Sequence, residues 1–157
     1  MKALLSCVIV IATALNFILP CKSAAVELSP GGTIYVPIYR TFYHSYGSSK
    51  DAYGLTSTAC LHNTDPKHVI TVYAIDHYDS NGKLIKKLLF EPIMIKPWSS
   101  KEISILPDTQ SDDFGANLIV RWKSDQPTNP PLVEVMMVGQ VLNRGVSFLT
   151  QGQEIKE

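Results

Sequence analysis

The chain has 157 residues, 45% of them hydrophobic, and its 14 basic and 14 acidic side chains give a formal net charge of zero. A chain of this length forms one domain with a core of its own. Because it has no surplus of basic residues to bind phosphate backbones, we expect no nucleic-acid partner.

Residues 1–25 have the pattern of an export signal. After a short basic start, residues 3–19 are uncharged and largely apolar, and small side chains at 23–25 offer a cleavage site. We therefore expect residues 26–157 to form a single exported domain in the periplasm or the cell envelope. Contact with the membrane is expected only if the signal segment is retained or if Cys21 is lipidated, and the proline directly before Cys21 makes lipidation the less favoured alternative.

The first predicted strand of the domain covers residues 33–39, in which Val36 and the isoleucines two residues to either side alternate with polar or aromatic side chains. Pro37 lies within this strand and indicates a sheet edge, because proline donates no ladder hydrogen bond. Residues 40–53 are aromatic and polar, and we predict an irregular crossing there that ends in a loop.

The stretch 55–89 predicts a strand, a tight turn, a second strand, an Asn-Gly hairpin and a third strand in succession. The period of two in the first strand defines one buried face, formed by Leu55, Ser57, Ala59 and Leu61. The sequence Asn-Thr-Asp-Pro at 63–66 then favours a chain reversal, because Asn and Asp bond their own backbone and proline ends a ladder.

The second strand of this stretch, residues 68–78, is so continuously apolar and β-branched that it predicts a central strand. Its inward face has two alternatives, one beginning at Val69 and the other at Ile70. The Asn-Gly dipeptide at 81–82 predicts a two-residue turn, because both residues accept positive φ angles. Residues 83–90 show helical spacing, but their shortness and the hairpin before them favour a strand.

Further short strands are predicted at 92–96, 100–106, 116–123, 132–138 and 146–149. In the third of these, Leu118, Val120 and Trp122 would point inward together. About seven to nine short strands separated by turn signals predict an all-β fold, an antiparallel immunoglobulin-like β-sandwich.

The domain contains the segments GGTIYVPIYR, HNTDPKHVITV, DHYDSNGKL, GANLIVRWK and VMMVGQ. These segments resemble the bacterial family DUF3124, a domain of unknown function found in uncharacterised exported proteins. The resemblance covers nearly the whole domain after the signal. It implies a bacterial exported protein, and it supplies no catalytic residues.

Six aromatic residues near the start of the domain are the candidate binding residues: Tyr35, Tyr39, Phe42, Tyr43, Tyr46 and Tyr53. If Tyr35 and Tyr39 face outward beside the other four, the set forms an amphipathic platform of the kind that binds glycans or proteins. The alternative is that these residues are present because tyrosine favours strands and covers the edge of a sandwich.

Candidate chemistry is limited to a histidine turn and one thiol. His62 and His68 flank a turn that contains Asp65, and imidazole with carboxylate suits zinc or copper. Against a metal site, no third ligand lies at a spacing that fixes coordination geometry, and loop histidines are common at surfaces. Cys60, which has no disulfide partner in the domain, could act as a nucleophile beside His62 or simply pack within its strand.

We therefore predict a non-enzymatic exported binding or interaction module of the bacterial cell envelope, with a protein or glycan partner and no cofactor. The alternative is a small metal- or thiol-dependent periplasmic enzyme that uses the histidines or Cys60. Sandwich folds carry many unrelated functions, so the predicted architecture does not choose between the two.

Overall fold

The structure is a computed structural model that describes residues 27–46, 49–105, 115–141 and 143–156, with the backbone alone described at 42–46 and 49–52. The predicted export signal and Cys21 lie outside the described residues. The described part contains strands and no helix, so no helix in it is long and apolar enough to cross a membrane.

The strands in chain order are β1 (Ser29–Tyr39), β2 (Thr41–Tyr46), β3 (Ser49–Gly54), β4 (Thr56–His62), β5 (Ile70–Tyr78), β6 (Leu84–Lys87), β7 (Ile93–Ile95), β8 (Ser100–Ile105), β9 (Gly115–Thr128), β10 (Leu132–Val141), β11 (Arg144–Gln151) and β12 (Gln153–Ile155).

Two antiparallel sheets face each other and form a β-sandwich. The first sheet has the order β12-β1-β9-β5-β6, with β7 also paired to β5, and the second has the order β11-β10-β4-β8. The predicted all-β antiparallel sandwich is confirmed, while its immunoglobulin-like type stays a prediction. The described strands number twelve rather than seven to nine, because β2, β3 and the three-residue β12 were not anticipated.

The core lies between the sheets and is built from side chains that alternate along each strand. Val36 of β1 and Val120 of β9 are fully buried, and Trp122 is exposed by 1%. The predicted inward face of β4 is also buried, from Leu55 to Leu61. Period-two patterns therefore identified the core correctly wherever a strand runs without irregularity.

Pro37 occupies a position where β1 has no ladder partner on one side. β12 pairs with β1 at Thr33, Ile34 and Tyr35 and extends no further toward Pro37. The carbonyl of Pro37 instead accepts a hydrogen bond of 2.7 Å from the Thr150 hydroxyl. The proline therefore lies at a partial sheet edge, which is where a residue without an N–H is tolerated.

Neither predicted inward face of β5 is correct along the whole strand. Ile70 and Val72 are buried, but the pairing of β5 with β9 shifts register between Val72 and Ala74. Beyond this bulge, Ile75 and His77 are 1% and 3% exposed and point inward, while Asp76 between them is 8% exposed and lies on the outer face with Arg121. An extra residue in one strand changes which of its side chains point inward. The two halves of β5 therefore bury alternate sets of residues, which explains why the sequence fitted neither inward face along the whole strand.

The hairpin between β5 and β6 differs from the predicted two-residue turn. The N–H of Gly82 donates to the Asp79 carbonyl at 3.1 Å, and the N–H of Asp79 donates to the Lys83 carbonyl at 2.9 Å. Gly82 has a φ of 78°, whereas Asn81 is not among the described residues with positive φ. The connection is therefore a type I turn followed by a left-handed glycine. The predicted strand at 83–90 is confirmed at Leu84–Lys87.

The prediction of an irregular crossing at 40–53 is wrong. β2 and β3 form an antiparallel hairpin that constitutes its own two-stranded sheet. Their mixed polar and aromatic residues lack a clean apolar alternation, because this hairpin is not a layer of the sandwich. We call the hairpin, Thr41–Tyr46 with Ser49–Gly54, the aromatic ribbon.

Candidate binding surface

The aromatic ribbon begins and ends at a fixed base. Between β1 and the ribbon, Arg40 is buried, and its carbonyl accepts a hydrogen bond of 2.8 Å from the N–H of Leu55. Gly139 of β10 lies against this base, since a Cβ there would come within 2.7 Å of Leu55 Cδ2 and 3.0 Å of the Gly54 carbonyl oxygen. The absence of a side chain at Gly139 lets the base pack closely on the second sheet.

The register of the ribbon fixes the relation between its aromatic residues. Phe42 lies opposite Tyr53, and Tyr43 lies opposite Ala52. In the described part of the chain, neither β2 nor β3 pairs with a strand of the two large sheets. The backbone of Phe42, Tyr43, Tyr46 and Tyr53 therefore belongs to a hairpin that is paired with neither large sheet. Tyr53 is half-buried, and the side chains of the other three lie outside the described residues.

Tyr35 and Tyr39 lie on the outer face of the first sheet. Their side chains are 38% and 37% exposed, while the residues between them in the alternation are buried. Tyr39 ends β1 directly before the base of the ribbon. Both tyrosines therefore face outward, while the second part of the platform prediction, their position beside the other four aromatic residues, stays a prediction.

An ion pair that the sequence did not indicate lies on the same outer face. Arg121 Nη1 is 2.9 Å from Asp76 Oδ2. Asp76 is paired with Ile119, and Ile119 is paired with Tyr35, so the row across the sheet brings the ion pair near the tyrosine. Its members are 45 positions apart in the chain, and knowledge of the β5–β9 pairing is needed to bring them together.

The Asp65 carboxylate organises the turn between β4 and β5. Its Oδ1 accepts hydrogen bonds of 2.8 Å from the N–H groups of Lys67 and His68 and lies 3.1 Å from His68 Nδ1. Its Oδ2 accepts a hydrogen bond of 3.2 Å from the N–H of Asn129. These contacts lower the pKa of Asp65 to about 2, although burial alone would raise it. The hydrogen bond from Lys67 has the largest effect, and those from His68 and Asn129 and the charge of the His68 ring add to it.

The three metal-ligand candidates are not brought together. Asp65 and His68 are in contact, but His62 lies on the outer face of the second sheet, where its Nε2 is 3.8 Å from Glu134 Oε2. Across the described ranges, no group of three or more His, Cys, Asp or Glu residues is placed to hold a metal ion. The oxygens of Asp65 are occupied by backbone donors, so their role is to fix the turn.

Cys60 lies on the outer face of β4 beside two carboxylates. Its partners across the ladders are Glu102 of β8 and Glu134 of β10. Burial raises the pKa of the Cys60 thiol, and the negative charges of Glu102 and Glu134 raise it further. Because the thiolate is the nucleophilic form, this environment disfavours a reactive cysteine.

Two surface depressions, of 680 and 460 Å³, flank β12 and are both bordered by Glu154. Neither is lined by Cys60, His62 or His68. The candidate chemical groups therefore do not lie in either concave region.

These features define an all-β sandwich that carries an outward tyrosine face and a separate aromatic ribbon. A family model described as a protein of unknown function, DUF3124, matches residues 31–155, and the chain belongs to that family. The resemblance found in the sequence is thereby confirmed. No curated protein matches the chain.

Among solved structures, the crystal structure of Thermotoga maritima 1070 is similar to this chain at a TM-score of 0.41 and 13% identity. The match covers 78% of this chain and 92% of the other. A similarity at this level supports no transfer of function.

Proposed function

We propose that the chain is an exported, non-enzymatic binding module that engages a protein or glycan partner of the cell envelope through the aromatic ribbon and the adjoining Tyr35 and Tyr39. The observation that carries this proposal is that the described ribbon pairs with neither sheet yet has a fixed base. The export component rests on the apolar pattern of residues 1–25.

The ribbon is an insertion that neither sheet requires. The hydrogen bond from the Leu55 N–H to the Arg40 carbonyl joins the two ends of the insertion, and neither of its strands belongs to the ladders of the two large sheets. Exposed tyrosines offer large, amphipathic contact areas and lose little rotamer entropy when they bind. A hairpin that contributes to neither ladder and holds four aromatic residues is therefore well suited to recognition.

The enzyme alternative receives no support from the candidate groups. The raised pKa of Cys60 lowers its thiolate fraction at neutral pH, and Asp65 is committed to backbone donors. His62 faces Glu134 and is separate from the turn that contains His68. Nucleophilic or metal catalysis requires such groups to converge on one reacting position.

Site-specific crosslinking in intact cells tests the proposed function. A photoreactive amino acid is placed at Tyr43 or at Tyr46 in the ribbon, and at Met136 or Leu149 as matched controls. The controls are exposed apolar residues on the outer face of the second sheet. We expect the two ribbon positions to form the same adduct and the controls to form none, with mass spectrometry distinguishing a protein from a glycan. No adduct from the ribbon, or the same adduct from all four positions, would contradict the proposal.

A further inference from the structure

Three exposed apolar side chains are concentrated on one short segment. Phe90, Trp98 and Met94 are 97%, 73% and 72% exposed, the highest values for large apolar side chains among the described residues. All three lie within nine positions of the sequence. Isolated exposed apolar residues are common, but here the three most exposed ones lie on a single short segment, which makes this segment a candidate interaction surface.

The segment forms one complete edge of the sandwich. β6 and β7 both pair with β5, on the side of β5 opposite β9, and β8 is the outermost strand of the second sheet next to β4. The turn at 96–99 joins β7 to β8 and so connects the edges of the two sheets. We call residues 83–102 the lysine edge.

Phe90 is exposed although its neighbours are held in place. The N–H of Leu88 donates a hydrogen bond of 2.8 Å to the Ile75 carbonyl. Leu88 and Leu89 pack against the hydrophobic core. The chain at this point is thus attached to the sandwich, and Phe90 points away from it.

Trp98 lies in a turn whose geometry opposes a bulky residue. The N–H of Ser99 donates to the Lys96 carbonyl at 3.1 Å, Pro97 takes the second position, and Trp98 has a φ of 58°. This is the third position of a type II turn, which normally contains glycine or asparagine. A tryptophan at positive φ is strained, and such strain is concentrated at functional positions.

Buried Asn63 holds this turn from inside the protein. Its N–H donates to the Ser99 carbonyl at 2.9 Å, and its side-chain amide donates to the Ile95 carbonyl at 3.0 Å. Asn63 itself is 2% exposed. Both flanks of the turn are therefore fixed, and Trp98 is presented to solvent by a rigid support.

The lysine edge is also locally basic. It contains five lysines and two glutamates, all exposed, although the whole chain has a formal net charge of zero: these are Lys83, Lys86, Lys87, Lys96, Lys101, Glu91 and Glu102. The charge is thus distributed unevenly, and the segment that contains the three exposed apolar side chains has an excess of positive residues. Lysine near an anionic lipid surface favours binding, and tryptophan prefers the region of the lipid headgroups.

We propose that the lysine edge docks on the surface of an anionic phospholipid bilayer. Its lysines contact the headgroups, while Phe90, Met94 and Trp98 enter the boundary between headgroups and acyl chains. A soluble acidic partner would satisfy the lysines but would leave the three solvent-exposed apolar side chains unexplained. The combination of basic charge and protruding apolar groups is the pattern of interfacial membrane binding.

Vesicle binding of the full chain tests this surface. Binding to vesicles of phosphatidylcholine mixed with phosphatidylglycerol is compared with binding to pure phosphatidylcholine vesicles, at low and high salt. The charge-reversal pair Lys86→Glu and Lys96→Glu changes the lysine edge, and the matched pair Arg144→Glu and Lys156→Glu changes the opposite edge by the same net charge. Every protein keeps the same residues 1–25, so any contribution from them is equal.

We expect the wild type to bind the anionic vesicles more strongly, and salt to weaken that binding. The lysine-edge pair should bind at least about 30-fold more weakly, and the opposite-edge pair should resemble the wild type. Of the two tryptophans in the chain, Trp122 is buried and Trp98 exposed, so a blue shift of emission on binding reports Trp98. Equal losses in both pairs, no preference for anionic lipid, or unchanged Trp98 emission would overturn the proposal. Binding to soluble polyglutamate without binding to vesicles would overturn it in favour of an acidic protein partner.

Discussion

The two opposite edges of the sandwich are built in different ways. At one edge, which we call the crossing edge, the chain passes from the second sheet into the first through the single residue Gly152, between β11, which pairs with β10, and β12, which pairs with β1. The Gly152 N–H donates to the Val133 carbonyl at 2.8 Å. At the other edge the chain also crosses between the sheets, from β7 to β8, but it does so through the exposed turn at 96–99, and the lysine edge faces solvent.

At the crossing edge the residues are closely packed, whereas at the lysine edge large apolar side chains extend into solvent. Close packing at Gly152 joins the sheets, so its sequence requirement is steric. At the lysine edge, Trp98 occupies a strained turn position and Phe90 is almost fully exposed, although neither feature increases stability. A residue that does not favour the stability of the fold, in surroundings that are otherwise well packed and hydrogen-bonded, indicates a functional position.

Gly152→Ala is expected to have the largest effect, because it would block the crossing edge. A Cβ at this position would lie 2.5 Å from Ile34 Cγ2 and 2.9 Å from Val36 Cγ2, in the fully packed core. We expect the free energy of unfolding to fall by about 3 kcal/mol, measured by urea denaturation.

The matched control for this substitution is Gly145→Ala in β11. A Cβ at Gly145 would have no heavy atom within 4 Å, so the added methyl group meets open space. This variant should be as stable as the wild type or slightly more stable. Equal losses of unfolding free energy in the two variants would show that the destabilisation comes from strand conformation and not from close packing at Gly152.

Asn63→Ala is expected to weaken the lysine edge from its buried side. The side chain donates to the carbonyls of His68 and Ile95 and accepts from the Asp65 N–H, and the protein would lose all three hydrogen bonds. A loss of about 2 kcal/mol is expected in urea unfolding, because buried partners are left unsatisfied.

The control for Asn63 is Asn81→Ala in the exposed β5–β6 hairpin. At Asn81 the backbone N–H, and not the side chain, donates to Asp79. Stability there should change by less than about 0.5 kcal/mol. An equally small effect of Asn63→Ala would contradict the assignment of Asn63 as the support of the turn.

The sequence predicted best those features that depend on the residue pattern of a single strand. The alternation in β1 predicted that Val36 is buried and that Tyr35 and Tyr39 lie on the opposite face of the strand. The phase of β5 could not be read in this way, because the bulge at Val72 and Ala74 exists only in relation to β9.

The two surfaces proposed for binding depend on pairing between distant segments. The sequence did not show that the aromatic ribbon leaves the sandwich, because its residues favour strands without showing which sheet they join. It also did not show that β6, β7 and β8 end their sheets together, which is what gathers the lysines. Nothing in Pro97-Trp98 predicts a type II turn with tryptophan in place of glycine, since Asn63 supports it from a different loop.

The Asp65 turn, from which Asn63 reaches the lysine edge, should respond to acid. Backbone hydrogen bonds lower the folded-state pKa of Asp65 to about 2 from 3.8, so the ionised carboxylate stabilises the fold above the higher value. This contribution should disappear as the pH falls from 3.8 to about 2. The urea midpoint of the wild type should fall over this range, and that of Asp65→Asn should fall less steeply. Parallel profiles for the two proteins would contradict this account.

Trp98→Gly is expected to have the smallest effect on stability, and the opposite sign. Glycine adopts a φ of 58° without strain, and the tryptophan side chain it replaces is 73% exposed and contributes little packing. The free energy of unfolding should rise by about 1 kcal/mol in thermal or urea unfolding. Trp98→Ala removes the same aromatic ring but keeps a Cβ at positive φ, so it should show no such gain. If the alanine and glycine variants were equally stable, the turn would not be strained. Trp98 would then give no energetic support for the contrast between the closely packed crossing edge and the lysine edge.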